Sequence, residues 1–335
     1  MQLTYDERMR RWLSGLFSCS LFTLAAAALA DPVVFKIGTL APPDSPWGQV
    51  FKVWKRAVGE RSGGSVELQF FWNGQQGDDR AMVGKIRTGQ LDGATLAAAG
   101  LGEIDRQVLV LQLPGLFREW NKLDAARSDM HAGFEAAFER QGFKVLGWGD
   151  VGRAHSMSKG FQVHVPADLK HRHTFFLPGD PIAPIVFSLI GDVTPRQVSV
   201  PEILAGLTAG SIDVLTAPPL AAEQLQWASR LDTLGDDVAG IGIGALVFSS
   251  ARYQSAPADA KAVIAETGRV AGEALTRRIR AEDDAAFVRL QARMTHYSLS
   301  PAERAEWEKL FVETGKRLRG AVFDAQIFDE AVRHR

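Results

Sequence analysis

Four clusters in this sequence carry residue types that do chemistry. Ser156-Met157-Ser158-Lys159 spells S-x-x-K, the spacing at which a serine nucleophile can meet a lysine. That chemistry needs partner motifs elsewhere, and none is visible, so the spelling reads as chance. Gly240-Ile241-Gly242-Ile243-Gly244 has the glycine density of a phosphate-binding loop. It runs on into Val247-Phe248 and lacks the strand-then-helix setting such loops require, so it reads as a tightly packed strand. His171-Arg172-His173 puts two imidazoles on one face of an extended segment, an arrangement that can hold a metal. With no carboxylate or cysteine close in sequence, the plainer reading is exposed polar residues ahead of a strand. Asp78-Asp79 is a helix start rather than an acid–base pair, because adjacent side chains on a helix point apart. The residues therefore assign no catalytic centre, no metal site and no cofactor.

The elements around these clusters follow a repeated plan. Val33–Gly38 alternates as a strand, and Trp47–Arg61 has helical apolar spacing at Val50, Phe51, Trp54 and Val58. Val66–Trp72 is a second strand. Asp78 and Asp79 cap a helix to Thr88, Gly89 stops it, and Leu91–Leu96 is a third strand. This β-α-β-α-β rhythm belongs to a parallel sheet wrapped by helices. It returns as a strand at Phe175–Leu177, a helix at Asp180–Gly191, a strand at Val193–Val198, a helix at Pro201–Ala209 and a strand at Ile212–Leu215. The two halves share a detail. Gly89-Gln90-Leu91-Asp92 and Gly210-Ser211-Ile212-Asp213 each join a helix end to a strand through a glycine and an aspartate. Two such α/β units facing each other make a cleft at the C-terminal ends of their strands. Ala258–Met294 is one long helical pattern behind Pro257, with internal Gly268 and Gly272, and reads as a brace spanning both units. Pro301–Arg319 is a further helix with Ser300 as its cap.

Length and composition agree. The chain has 335 residues, enough for two domains, with 46% apolar and 23% charged residues. A net charge of −1 without a run of five like charges excludes nucleic acid as a partner. The first thirty residues read as a secretory signal peptide: Arg8, Arg10 and Arg11, an apolar run from Trp12 to Ala30, and an Ala28-Leu29-Ala30 exit before Asp31. Asp6 and Glu7 fit poorly there, and translation from Met9 would remove them. The alternatives are an uncleaved membrane anchor or a lipoprotein site at Cys19, the only cysteine. Cleavage after Ala30 leaves a mature periplasmic chain without cysteine, so no disulfide and no thiol chemistry.

Several segments together resemble the solute-binding subunit of TRAP (tripartite ATP-independent periplasmic) transporters. They are Ser62-Gly63-Gly64, Gly74–Arg80, Leu113-Pro114-Gly115-Leu116-Phe117, Gly149–Arg153, Asp168-Leu169-Lys170, Pro178-Gly179 and Glu202–Asp213, in the family's order over most of the mature chain. The resemblance implies a periplasmic binding protein fold: two α/β domains around a ligand cleft, closing on the ligand, with a long bracing C-terminal helix. It divides the chain into a signal peptide (1–30), domain I (31–151 with 242–283) and domain II (152–241 with 284–335). It also implies capture of a small organic molecule for membrane subunits of a transporter, without catalysis.

The departures from the family pattern concern the ligand. The family's carboxylate-binding arginine, counted back from Pro178-Gly179, falls on Phe176, and family positions that are commonly polar fall on Leu40, Ala97 and Ala217. The second family arginine survives as Arg153, either touching ligand or forming an ion pair at the hinge. Phe176–Pro181, Ala217–Leu220 and Gln226-Trp227 resemble a divergent branch with an aromatic in place of the arginine, some of whose members are associated with a tetratricopeptide-repeat periplasmic partner. The expected site is therefore Leu40, Trp47, Ala97, Trp148, Arg153, Phe176, Pro178, Gly179, Asp180, Ala217 and Trp227, and the expected ligand is partly hydrophobic. A sensor subunit of the same fold, or a periplasmic enzyme, are the rival readings; the neighbouring genes separate the first and a nucleophile or metal constellation the second.

Overall fold

The computed structural model describes residues 31–335. The signal-peptide features, Met9 and Cys19 lie outside the described residues. In chain order the elements are β1 (Val33–Thr39), α1 (Pro46–Arg61), β2 (Val66–Phe71), α2 (Asp79–Arg87), β3 (Gly93–Ala97), α3 (Ala98–Ile104), α4 (Trp120–Arg140), β4 (Phe143–Ser158), β5 (His173–Phe176), α5 (Ala183–Ile190), β6 (Thr194–Gln197), α6 (Ile203–Thr208), β7 (Val214–Ala217), α7 (Pro219–Gln224), β8 (Thr233–Ser249), α8 (Ser250–Ser255), α9 (Ala258–Gln291), β9 (Thr295–Tyr297), α10 (Pro301–Leu318) and α11 (Ala325–Arg333). The fold is mixed α/β, with α9 as the long helix expected near the C-terminus.

One seven-stranded sheet runs β2-β1-β3-β8-β4-β7, with β9 beside β8. β1 is parallel to both β2 and β3, as the first β-α-β-α-β pattern requires. β8 then joins antiparallel to β3 and to the long strand β4. The second pattern turns out differently. β5 and β6 form a separate parallel pair, while β7 joins the main sheet antiparallel to β4. The length of β4 and β8 and their pairing with each other were not foreseen, and they carry the sheet from one half of the sequence plan to the other.

Local chemistry sets the boundaries. Ser45 caps α1 by accepting from the Gly48 N–H at 3.2 Å, and Pro46 occupies the first turn. Its Val50, Phe51, Trp54 and Val58 are buried. Ser300 and Glu303 close a reciprocal capping box at the start of α10. The helix expected from Asp180 begins only at Ala183. Asp180 precedes Pro181, which disfavours helical geometry at Asp180, and its carboxylate instead holds the N–H groups of Ile182 and Ala183. Residues 201–209 likewise split into a 3₁₀ turn at Val200–Glu202 and α6.

α9 lies directly on β4, and small residues make that approach possible. A Cβ on Gly147 would sit 2.6 Å from the Gly268 carbonyl oxygen, and one on Gly272 would sit 2.6 Å from the Trp148 carbonyl oxygen. The two glycines inside the long helical pattern are thus contact points rather than breaks. Trp54 of α1 fixes the other side of α9, donating to Thr267 Oγ1 at 3.1 Å. Among the described residues, no helix is long and apolar enough to cross a membrane.

Candidate functional site

The C-terminal ends of β1, β3, β5 and β7 open onto one cavity of about 530 Å³, the place where open α/β sheets bind ligands. β1 delivers Thr39 and Leu40, β3 delivers Thr95 to Ala97, β5 delivers Phe175 and Phe176, and β7 delivers Thr216 and Ala217. The middle of β8, from Asp237 to Leu246, forms the floor. That run includes Gly240-Ile241-Gly242-Ile243-Gly244, which pairs with β4 and β3 as a packed strand. Ile182, Val186 and Phe187 come from α5 and its approach, and Arg304, Trp307 and Phe311 come from α10.

Of the residues expected at the site, Leu40, Trp47, Ala97, Phe176, Gly179, Asp180, Ala217 and Trp227 share this cavity wall. Pro178 lies alongside, in a small cleft against Asp78, Asp79, Arg80 and Ser199. Trp148 points elsewhere: its Nε1 donates to Glu135 at 2.8 Å, and its ring packs on Phe134 and Phe138. Of the two roles open for Arg153, the ion pair is present, with Asp284 of α9. Arg153 is absent from the cavity wall, and its guanidinium lies 5.9 Å from the Trp120 ring centroid.

Sequence reasoning missed the α5 and α10 contributions. α5 reads Ala-Pro-Ile-Val-Phe-Ser-Leu-Ile and buries only Ile190 fully. The sequence signal is a short helix that is apolar on nearly every side; the structure leaves most of it half-buried, facing the cavity rather than core. Trp307 and Phe311 of α10 stand four residues apart on one helical face. Of the S-x-x-K spelling, Ser156 reaches the cavity wall. Lys159 is exposed, and its backbone N–H donates to the Asp213 carbonyl at 2.9 Å. The His173 imidazole sits 3.4 Å from Asp213, forty residues on in sequence.

The charges at the cavity are largely matched. Arg118 meets Glu308 at 3.2 Å, and Arg304 meets Asp237 at 2.5 Å. Asp150, whose side chain is fully buried, is held by Arg127 and Arg280, each at 2.7 Å. Two carboxyls differ. Asp79 is 2% exposed and accepts from the Ala97 N–H at 3.0 Å. Burial pushes it up to about 7, against the Ala97 bond and reinforced by the neighbouring Asp78 charge. Burial also raises Asp180, against its bonds from Ile182 and Ala183.

Beside the cavity, β4 bends where Asp150 gives way to Gly152, and again at Ala154 to His155, as its register against β8 shifts. Asp283 of α9 clasps this bend, accepting from Arg153 N–H at 2.8 Å and Leu220 N–H at 3.0 Å. Burial raises the Asp283 carboxyl to about 6, opposed by those two bonds. His155 is buried with Nδ1 3.0 Å from the Gly235 carbonyl. Burial lowers it to about 4, so the ring is neutral at pH 7.

Comparison with known proteins places this geometry. Residues 37–318 match the family described as bacterial extracellular solute-binding protein, family 7 (DctP). A solute-binding protein of Sulfitobacter sp. (strain NAS-14.1) is 23% identical over 312 residues, covering 92% of each chain. An uncharacterized protein of Sinorhizobium fredii is 25% identical over 216 residues, which are 63% of this chain but 39% of that longer protein. A TRAP periplasmic solute-binding protein from Sulfurospirillum deleyianum, solved with bound succinate, has the same fold. The TM-score is 0.84 over 91% of this chain and 100% of that one, at 17% identity.

Proposed function

Because the chain belongs to family 7 of the bacterial extracellular solute-binding proteins, we propose that it is the extracytoplasmic binding subunit of a TRAP-type secondary transporter. It works in the periplasm, after export and cleavage behind Ala30, as a receptor and not as an enzyme. It captures a small organic molecule and hands it to the transporter's membrane subunits. The observation that carries this reading is the cavity of about 530 Å³ built at the C-terminal ends of β1, β3, β5 and β7.

The ligand has a substantial apolar part. Leu40, Ala97, Phe176 and Ala217 bring no side-chain charge to the wall they share, and apolar surface buried against them gains about 25 cal/mol per Å². Family relatives include one holding succinate. Here the guanidinium groups at the cavity already pair with Glu308 and Asp237, so a small dicarboxylate lacks the free cation it needs. On this reading the chain is a member of the divergent branch with an aromatic at the arginine position, Phe176. A tetratricopeptide-repeat protein is its further periplasmic partner.

Capture is by closure of two domains, residues 31–151 with 242–283 and residues 152–241 with 284–335. The bend in β4 near Gly152 and the glycines of β8 supply the hinge, and α9 braces both. The test is to purify the protein from periplasm without refolding and identify the small molecules it releases by mass spectrometry. A released molecule with an apolar body, whose re-addition shrinks the radius measured by small-angle scattering, is the expected result. A released small dicarboxylate, or an unchanged radius at saturation, overturns it.

A further inference from the structure

The cavity runs well beyond the strand ends. Ala217 ends β7 there, and Thr216 and Val214 line the same cavity. A strand rises about 3.3 Å per residue, so Val214 stands about 10 Å back along β7 from Ala217. β4 runs beside this stretch, pairing Ser156 with Thr216 and Ser158 with Val214, and Ala154 and Ser156 also face the cavity. Gly235 and Asp237 of β8 and Tyr297 of β9 continue it. The cavity thus extends over one face of the sheet formed by β7, β4, β8 and β9, beneath α5 and α10.

The two faces of that sheet are filled unequally. On the side of Met157 and Leu215, fourteen buried residues make one apolar core with α6, α7 and α9. On the side of Val214, the buried cluster has four: Val163, Leu169, Ile190 and Val214. Protein interiors are normally close-packed, so the side-chain volume missing from this face is cavity. Val163, Leu169 and Val214 are its floor. Val186 of α5 and Trp307 of α10 pack on the same cluster while staying half-buried. α5 packs against α10, and Phe187 and Phe311 complete the wall.

This annex is preformed, and the polar groups around it are mostly engaged. Trp307 donates its one N–H to the His164 carbonyl at 2.9 Å. Its ring lies 5.6 Å from that of Phe311, which presses on Gly115 so closely that a Cβ there would collide with it. The Tyr297 hydroxyl is taken by the Val163 N–H at 3.0 Å and the Val163 carbonyl at 3.2 Å. Asp237 accepts from the Leu299 N–H at 2.9 Å and pairs with Arg304. The hydroxyls of Ser156 and Thr216 lie on the side of the strand ends. The annex is polar at its entrance and apolar at its far end.

We infer that the apolar part of the solute occupies this annex, and that the solute is a tailed molecule: a polar head at the strand ends and a hydrocarbon tail lying along β7 beneath α5 and α10. The inference rests on the reading of the cavity as the solute site, and adds a second subsite with the shape of what fills it. A tail there removes Val186, Val214, Phe187 and Trp307 from water, which is the gain that holds it. A compact solute reaches only the strand ends and leaves those side chains wet.

The experiment titrates butanoate, hexanoate, octanoate and decanoate calorimetrically into the dialysed mature protein, so that the head is constant and the tail grows. Affinity is expected to climb about threefold to fourfold per methylene from butanoate to octanoate. Octanedioate, with a second carboxylate at the far end, is expected to bind about tenfold or more weaker than octanoate, because the far end holds no cation to meet it. Val186→Trp fills the annex and Trp307→Ala removes part of its wall. Each is expected to cut the ratio of octanoate to butanoate affinity by about tenfold. That ratio is internal to each variant, so a change at the head cancels. Val186 is half-buried and its variant is expected to fold, and the chain-length series needs no variant. The inference is overturned if affinity is flat along the series, if both variants keep the native ratio, or if octanedioate binds as tightly as octanoate. Measurable but flat binding removes the annex and leaves the strand-end cavity standing as the solute site. If no member of the series binds, the reading of the cavity as the site of a partly apolar solute fails, and the inference with it.

Discussion

The segment from β1 to β3 and the segment from β5 to β7 are built with the same local device and put it to different ends. In each, a glycine at positive φ ends a helix, Gly89 at 73° and Gly210 at 70°. In each, the aspartate three residues on clips the neighbouring strand. Asp92 donates its N–H to the Lys36 carbonyl at 2.9 Å and accepts from the Lys36 N–H at 2.8 Å. Asp213 does the same to His173, at 2.8 Å and 2.9 Å. What differs is where the apolar side chains go. Around β1 they are sealed, with Phe35, Ile37 and Leu68 at 0% exposure and α1 folded over them. Around β5 they are left short of cover: β6 is exposed at all four residues, and the apolar α5 buries only Ile190. The first segment is scaffold apart from the strand ends and the few neighbours it gives to the cavity wall. The second keeps apolar surface for the cavity.

Substitutions that separate scaffold from wall test this contrast, and the largest effect belongs to the scaffold. Trp54 is 2% exposed, packs near Phe70 and Phe248, and donates to Thr267 across to α9. Trp54→Ala is expected to lower unfolding free energy by about 3–5 kcal/mol in denaturant titrations, while the surviving folded fraction keeps its ligand affinity. A stability loss below 1 kcal/mol would break the scaffold assignment.

The next effect lies where the two segments meet, and its sign depends on pH. Asp79 has its folded carboxyl raised to about 7 by burial. A raised carboxyl pKa means the folded state binds the proton more tightly than the unfolded chain. Stability from this group is then present at low pH and falls as pH climbs from the ordinary carboxylate range through about 7. Asp79→Asn removes that decline, so the variant should gain on the order of 2 kcal/mol relative to the native protein between pH 5 and pH 8. Thermal melts across that range would show parallel curves if Asp79 were not a buried, unpaired carboxyl.

Much of the scaffold was legible in the sequence because its signals are local. The four apolar positions of α1, the glycine–aspartate joints and the cap at Ser300 each lie within a few residues, and each formed as read. The joining of the strands was not legible. Whether β7 pairs with β5 or with β4 depends on long-range registers that no local pattern encodes, and β4 itself, with four glycine or aspartate positions between Gly147 and Gly152, has no clean alternation. Eight of the eleven expected site residues share the cavity wall, and four of them, Leu40, Ala97, Phe176 and Ala217, are placed there by strand ends whatever the pairing. Trp148 lies away from that wall since neighbours on α4 claim its ring, and those neighbours are unconnected to it by any sequence spacing.

A smaller effect sharpens the role of the wall. Phe176 is half-buried at the end of β5 and carries cavity surface rather than core. Phe176→Ala should change stability by less than about 1 kcal/mol and weaken an apolar-bodied ligand about tenfold, through the apolar contact removed at about 25 cal/mol per Å². Calorimetry with the native released molecule is the measurement. An unchanged affinity with a large stability loss would make Phe176 core, and the contrast between the segments would fail at its central residue.

The smallest effect is expected at Arg153, where the contrast meets the bend in β4. The residue does two separable things. Its backbone N–H donates to the buried Asp283, which any non-proline side chain leaves intact. Its guanidinium pairs with Asp284, a side chain 52% exposed, so water and salt screen the pair. The Arg153 Nε is buried with no hydrogen-bond partner, a cost that offsets part of what the ion pair contributes. Arg153→Ala should therefore cost at most about 1 kcal/mol of stability. Since the side chain is absent from the cavity wall, ligand affinity should stay within about twofold, a shift of under half a kcal/mol. A guanidinium that reached the ligand would behave otherwise: its loss would weaken an acidic ligand by tenfold or more while leaving stability nearly untouched. Measuring both quantities on one variant separates the two roles, and raised salt should erase the stability effect of the ion pair.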